Sequence, residues 1–436
     1  MDSTRTGSPL ASMVERHKAG ERIGVYSVCS AHPLVIEAAM RQSLDDDMFV
    51  LIEATSNQVD QFGGYTGMRP AEFREFCLRI ADATGFPRDR VVLGGDHLGP
   101  NRWQDKAPEE AMRLAEDLVA AYVEAGYEKI HLDCSMSCAG DPVPLDDATV
   151  AARATRLLAV AERTASKRPG GSERLRYVIG TEVPVPGGAH EEIEGLTPTS
   201  PDAARQTIAA HRAAFADAGL ADVWPRIMAL VVQPGVEFDH LKVVDYRPER
   251  TGELSAVLDA EPTLLFEAHS TDYQQPEGFV ALVENHWAVL KVGPGLTFAL
   301  REAVFALERI EAELVPADRA SRFPEVIEEQ MLADPRYWRS YYLGSEDEQR
   351  IARRYSYSDR MRYYWPDERV QEALRRLLEN LEHTSIPLPL ISQFMPLQYD
   401  RVRAGLLQPT PHELVIDHVR DALRPYAAAC GATSGK

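Results

Sequence analysis

Eight short apolar runs, rich in Val, Ile and Leu, limit what this chain can fold into. They are Ile23–Val28, Phe49–Ala54, Val91–Gly94, Lys129–Asp133, Tyr177–Thr181, Ile227–Val232, Leu264–Ala268 and Val289–Val292. Each leads into polar or glycine-rich residues and then usually into a stretch of helical period, which is the grammar of a parallel βα chain. Eight such units are the number that closes a (β/α)₈ barrel. The intervening helices carry matching punctuation. Pro70 opens a segment with Phe73, Phe76, Cys77 and Ile80 on one face, and Gly85 closes it. The same pattern recurs from Pro108 to Gly126 and from Pro201 to Gly219. Past about residue 315 the strand signal stops, and helical stretches are interrupted by prolines from Pro324 to Pro411. The expected organisation is an α/β barrel over residues 13–315 and a helical appendage over 316–428, packed on it.

A chain of 436 residues has room for one large α/β unit and such an appendage. Its 47 basic and 67 acidic side chains give a net charge of −20, which repels the phosphates of nucleic acid and anionic lipid and excludes both as expected partners. A small phosphorylated substrate stays compatible, because a helix N-terminus and a few basic side chains set the potential locally. Five cysteines without a CxxC pair read as reduced thiols. No apolar stretch resembles a signal peptide or a membrane span, so a cytoplasmic protein is expected.

Unusual polar residues cluster at the ends of the runs. Asp96 and His97 follow the third, Asp133 ends the fourth, Glu182 follows the fifth and Gln233 the sixth, Glu267 and His269 lie on the seventh, and Lys291 lies on the eighth. In a barrel these positions share one mouth. Charged groups among apolar neighbours must pair or bind a cation. The stretch Gly94–Pro100, GGDHLGP, suits a divalent metal held by His97, with Asp96 exchanging a proton with a polarised substrate hydroxyl. Glu182 and His269 would complete a set of N and O donors suited to zinc or manganese. A hydrogen-bonded rim without metal is the alternative. Glu267 and Asp133 are further proton-transfer candidates, and Gln233 and Lys291 candidate substrate contacts.

Residues Lys291–Ala303, KVGPGLTFALREA, run from a strand through Gly293 and Gly295 directly into a helix. Gly293, Gly295 and Thr297 are candidates to cradle a phosphate at the helix N-terminus, although a tight turn would use the same glycines. Lys291 is open to imine chemistry or to simple ion pairing. Cys29 reads as packing and His32 as a rim residue. The segment Tyr355–Trp365, YSYSDRMRYYW, reads as a docking surface for the appendage or a partner ahead of a substrate contact.

Several of these stretches, with Val25–Ala38, Ile52–Met68, Lys129–Pro142, Tyr177–Gly188, Val231–His240, Glu267–Gln274 and RYSYSDRMRYYWP, resemble the GatZ/KbaZ proteins of galactitol and N-acetylgalactosamine breakdown from about residue 13 to 426. The resemblance implies a barrel related to class II aldolases and a Z-type subunit that supports the activity and stability of a catalytic Y-type subunit in tagatose-1,6-bisphosphate cleavage. It also implies a phosphorylated ketose as substrate, and a homo-oligomer is a further possibility. Asp96-His97 resembles the Asp-His pair of the aldolases, whose Asp transfers the proton and whose His binds zinc, and His269 resembles their later zinc ligand. Gln233 stands where those enzymes carry another ligand histidine, and Glu182 would have to replace it. Two other functions stay open. One is a metal-dependent ketose-phosphate (tagatose-6-phosphate) 4-epimerase or retro-aldol enzyme. The other is the tagatose-6-phosphate kinase that the family label carries, which no P-loop or kinase Gly-rich loop supports.

Overall fold

A computed structural model describes residues 7–168, 170–180 and 196–432. Its centre is a closed barrel of eight parallel strands: β1 (Val25–Val28), β2 (Val50–Thr55), β3 (Val91–Leu98), β4 (Lys129–Leu132), β5 (Arg176–Ile179), β6 (Ile227–Val231), β7 (Leu265–Ala268) and β8 (Trp287–Val292), with β8 pairing back onto β1. All eight coincide with the apolar runs. Long helices follow most strands, and six of them begin with proline at the first turn, where its missing N–H costs nothing. Between β6 and β7 the outer layer is instead a two-stranded hairpin, Glu237–Phe238 with Val243–Val244, followed by short helical turns.

Successive side chains of a strand face opposite ways, so every second residue points into the barrel. At the N-terminal end the inward residues are apolar: Val25, Leu51, Val92, Leu265 and Val289 form one buried cluster, capped by Leu10, Met13 and Val14 of the helix Pro9–Lys18. One step along the same strands the interior turns charged, with Glu53, Lys129, Glu267 and Lys291. A further step reaches Asp96, His131 and His269. The closed end of the barrel is therefore dry packing and the open end holds the ionisable groups.

From Phe323 to Ala429 the described chain is helical. Its last helix, Pro411–Ala429, lies against the barrel helices Pro33–Asp45, Pro276–Glu284 and Pro294–Leu314. Ion pairs Arg41–Glu413 and Arg420–Asp45 tie it to the first of these, and the Tyr426 hydroxyl meets Thr271 at 3.2 Å.

Candidate active site

Strand β3 runs four residues past its apolar run, and its pairing with β4 continues to Leu98. Its register with β4 slips between Gly95 and Leu98, and His97 takes a left-handed φ of 51°. Such an irregularity re-aims side chains that regular pleating would send to opposite faces. Asp96 and His97 consequently both line a cavity of about 90 Å³ at the mouth, with His269, Asp272 and Lys291. Gly94 is required one step below, because a Cβ there would lie 2.7 Å from the Glu53 side chain that crosses it.

Beneath the cavity four buried charges form a ring. Lys129 Nζ lies 2.7 Å from Glu53 and 2.6 Å from Glu267, and Lys291 Nζ lies 2.5 Å from the other Glu53 oxygen and 3.9 Å from Glu267, which closes the ring; Lys291 also reaches up to Asp96 at 2.9 Å. Burial pushes the Lys291 ammonium down, but Asp96 and the glutamates outweigh it and hold its pKa well above the ordinary value. A protonated, paired lysine is the ion-pair alternative of the sequence reading, and it is not poised as an imine nucleophile.

Above the ring sit three imidazoles. The His97 ring centroid lies 5.0 Å from His269 and 5.3 Å from His131, and His131 is 5.5 Å from His269. Asp133 does not line the cavity; it accepts from His97 Nδ1 at 2.8 Å and from the Ser135 hydroxyl, leaving His97 Nε2 facing Asp96 at 3.6 Å. His131 Nδ1 approaches Asp96 at 2.9 Å, and its buried Nε2 has no hydrogen-bond partner among the described residues. Burial pushes the Asp96 carboxyl up, but His97 and Lys291 outweigh it and hold it well below the carboxylate range. Burial likewise disfavours the His97 cation, but Asp96 and Asp133 raise its pKa, whereas burial drives His269 down to about 4.

Ligand atoms of Asp96, His131, Glu267 and His269 all lie within 4.8 Å of one another. This donor set of two imidazoles and two carboxylates fits a divalent cation, and the unpartnered His131 Nε2 is the kind of buried nitrogen that a cation satisfies. Glu182 lies outside the described residues. Gln233 turns elsewhere: its side-chain oxygen accepts from the Gly235 and Val236 amides, and it does not line the cavity.

The Gly293 and Gly295 amides are already engaged, donating to Asp272 Oδ1 at 3.0 and 2.7 Å. Thr297 donates its hydroxyl to Asp359 at 2.6 Å. An incoming phosphate would meet an internal carboxylate at the turn where the sequence suggested a cradle. Cys29 lines the mouth, but burial raises its thiol far above the usual range and leaves it unreactive.

The family described as D-tagatose-1,6-bisphosphate aldolase subunit GatZ/KbaZ-like matches residues 10–431. This chain belongs to that family. A crystal structure from Sinorhizobium meliloti 1021, described as a probable tagatose 6 phosphate kinase, is 48% identical to this GatZ/KbaZ-like chain, covers 93% of it and 100% of its own length, and superposes with a TM-score of 0.87. Two more distant barrels are the fructuronate-tagaturonate epimerase UxaE from Cohnella laeviribosi and the YdjI aldolase from Escherichia coli K12. The first shares 12% identity over 94% of this chain and 82% of its own (TM-score 0.47), and the second 9% over 83% and 93% (TM-score 0.41). Neither distant likeness bears on what the GatZ/KbaZ-like chain does.

Sequence reasoning passed over His131, Glu53 and Lys129 as site residues. The signal was there: in Lys129-Ile-His-Leu-Asp133 every second residue is ionisable, which marks the inward face of a strand. Asp272, Arg362 and Tyr363 also line the cavity; Asp272 carried no comparable local pattern, and Arg362 and Tyr363 lie in the Tyr355–Trp365 segment that the sequence favoured as a docking surface over a substrate contact.

Proposed function

We propose that this chain acts on a phosphorylated ketose in carbohydrate catabolism, as a Z-type member of a tagatose-1,6-bisphosphate aldolase, through a cation-dependent proton-transfer site of its own. The observation that supports this reading is Asp96, kept ionised among His97, His131 and Lys291 beside a donor set that fits a metal. His131 and His269, with a carboxylate oxygen from Glu267, would hold zinc or manganese, which leaves Asp96 for proton transfer; His97 stands alongside, and Glu182 is a further candidate by its position after β5. When bound, a divalent cation supplies Lewis-acid polarisation of a substrate carbonyl or hydroxyl. Asp96 then accepts the hydroxyl proton, the step that opens either carbon–carbon cleavage or epimerisation. Asp133 fixes the tautomer and orientation of His97, and the Lys291 ammonium offsets negative charge developing on the substrate oxygen.

The test is turnover of ketose phosphates by the metal-stripped chain, with zinc or manganese added back, alone and with a Y-type subunit. Metal-dependent turnover that falls at least about 100-fold in His97→Ala is expected, on the scale of losing one transition-state contact. Full activity in His97→Ala overturns the mechanism. The description of the family as an aldolase subunit favours a second reading, a support for its partner with no chemistry of its own. That reading predicts no turnover by the lone chain and an unimpaired complex with His97→Ala. Phosphoryl transfer, suggested by the description of the Sinorhizobium protein, lacks a nucleotide-binding motif here.

A further inference from the structure

The reactive cavity opens into a wider chamber of about 440 Å³, and both are walled on one side by the appendage. The two share Cys29, Gln58, Tyr65 and Arg362, so Arg362 stands at their junction. The wider chamber is mostly apolar, with Leu34, Met68, Phe76, Trp365, Leu374 and Leu378 on its walls.

The cations facing these spaces differ in what already neutralises them. Lys291 is paired with Glu53 and Asp96, His97 with Asp133, and Arg375 with Glu372 and Glu379. Burial drives His32 far down and leaves it neutral. Arg362 has no carboxylate within ion-pair distance among the described residues. It gives Nη1 to the carbonyls of Ser358 and Asp359, and Nη2 to the Tyr363 hydroxyl at 2.9 Å. Its Nε–H and the second Nη2 proton have no protein acceptor among the described residues. A guanidinium edge of this kind matches two oxygens of a phosphate or carboxylate. Tyr363 reports the local field: burial pushes its hydroxyl up, but Arg362 and Arg360 outweigh it and lower its pKa.

We propose that Arg362, carried by the appendage, is the anion-binding residue of this site and takes the phosphate or carboxylate end of the sugar, in place of the β8 turn that Asp272 already fills. The inference rests on the reading of the mouth as a sugar site and names its anion-recognising group. The reacting end of the substrate faces Asp96 while its charged end is gripped from outside the barrel.

Calorimetric titrations of the full chain with inorganic phosphate and separately with D-glycerate, at constant ionic strength, test it. At least one probe is expected to bind saturably, and whichever binds more tightly identifies the source of the anion. Arg362→Gln is expected to weaken that binding at least tenfold, Arg362→Lys to restore part of it, and Arg375→Gln to leave it unchanged. Unaltered binding by Arg362→Gln, or no binding of either probe by the parent chain, overturns the proposal. Should Arg362→Gln fold poorly, as judged by its melting temperature, Tyr363→Phe, which frees a guanidinium proton without removing the charge, is expected to hold affinity within about threefold, and a tenfold loss there also overturns it. Manganese titration of the same proteins separates the two readings. Metal bound equally by parent and Arg362→Gln, with no anion effect, sinks this inference alone, whereas anion binding without metal binding sinks the cation site alone.

Discussion

His97 occupies a backbone region that costs a non-glycine residue about 1–3 kcal/mol, and it persists only where the surroundings hold it. The hold here is the Asp133 carboxylate on Nδ1. Asp133→Asn therefore should leave the fold intact but free the ring to flip, lowering turnover about 10–100-fold through the lost orientation of an imidazole that stands beside the cation site. Parallel measurement of turnover and melting temperature checks this, and a loss of stability without loss of turnover would make Asp133 merely structural. Asp272 makes a separate residue-scale prediction. Burial raises its carboxyl from 3.8 to about 6 despite the Gly293 and Gly295 amides. Between those values the folded protein keeps a proton that the unfolded chain has released, so stability falls as pH rises through the window, and the cost is fully present above about pH 6. Asp272→Asn keeps an oxygen for both amides and removes the charge. Its unfolding free energy relative to the parent is expected to rise from pH 4 to pH 6 by up to about 3 kcal/mol. A difference that does not change with pH would refute this assignment.

At the scale of elements, two strands show how the inward positions change from the closed end to the mouth, apolar then charged then polar: Leu51, Glu53, Thr55 on β2 and Leu265, Glu267, His269 across β7. The charged middle layer is held by mutual pairing, and breaking one buried pair strands the partner charge. Lys129→Met leaves both Glu53 and Glu267 short of a cation, and a loss of about 3–5 kcal/mol in denaturant-induced unfolding is expected; Lys129→Met with Glu267→Gln should recover part of it. The strands were legible because their hydrophobicity is continuous, and so was the mouth, since Asp96, His97, His269 and Lys291 stand at run ends. Glu53, Lys129 and His131 were hidden for the opposite reason. They lie inside runs that read as apolar, and only the period of two reveals that they share a face. The β8 turn misled in another way, because glycines that suit an anion cradle serve equally well when the anion is a side chain 21 residues away in sequence, as Asp272 is from Gly293.

Over the whole molecule, the mouth is completed by residues that no barrel strand carries, so the geometry of the site depends on how the appendage is seated. The anchor nearest Arg362 is Asp359, a buried carboxylate that accepts from Thr297 at 2.6 Å and from Arg301 Nε at 3.2 Å, both on the helix that follows β8. Arg301 in turn lies over the Phe298 ring at 4.1 Å, so the pair is packed as well as charged. Asp359 also has a left-handed φ of 40°, which asparagine tolerates better than most residues. Asp359→Asn therefore preserves the backbone and one acceptor while leaving Arg301 uncompensated. The expected result is faster amide hydrogen exchange across residues 356–365 and at least tenfold weaker anion binding, with manganese affinity at the barrel mouth unchanged. That split is the informative part, because the groups that fit a metal all stand on the barrel while the proposed anion contact stands on the appendage. Equal losses of metal and anion binding would mean that the two parts form one inseparable site, and unchanged anion binding would mean that Asp359 does not set the position of Arg362.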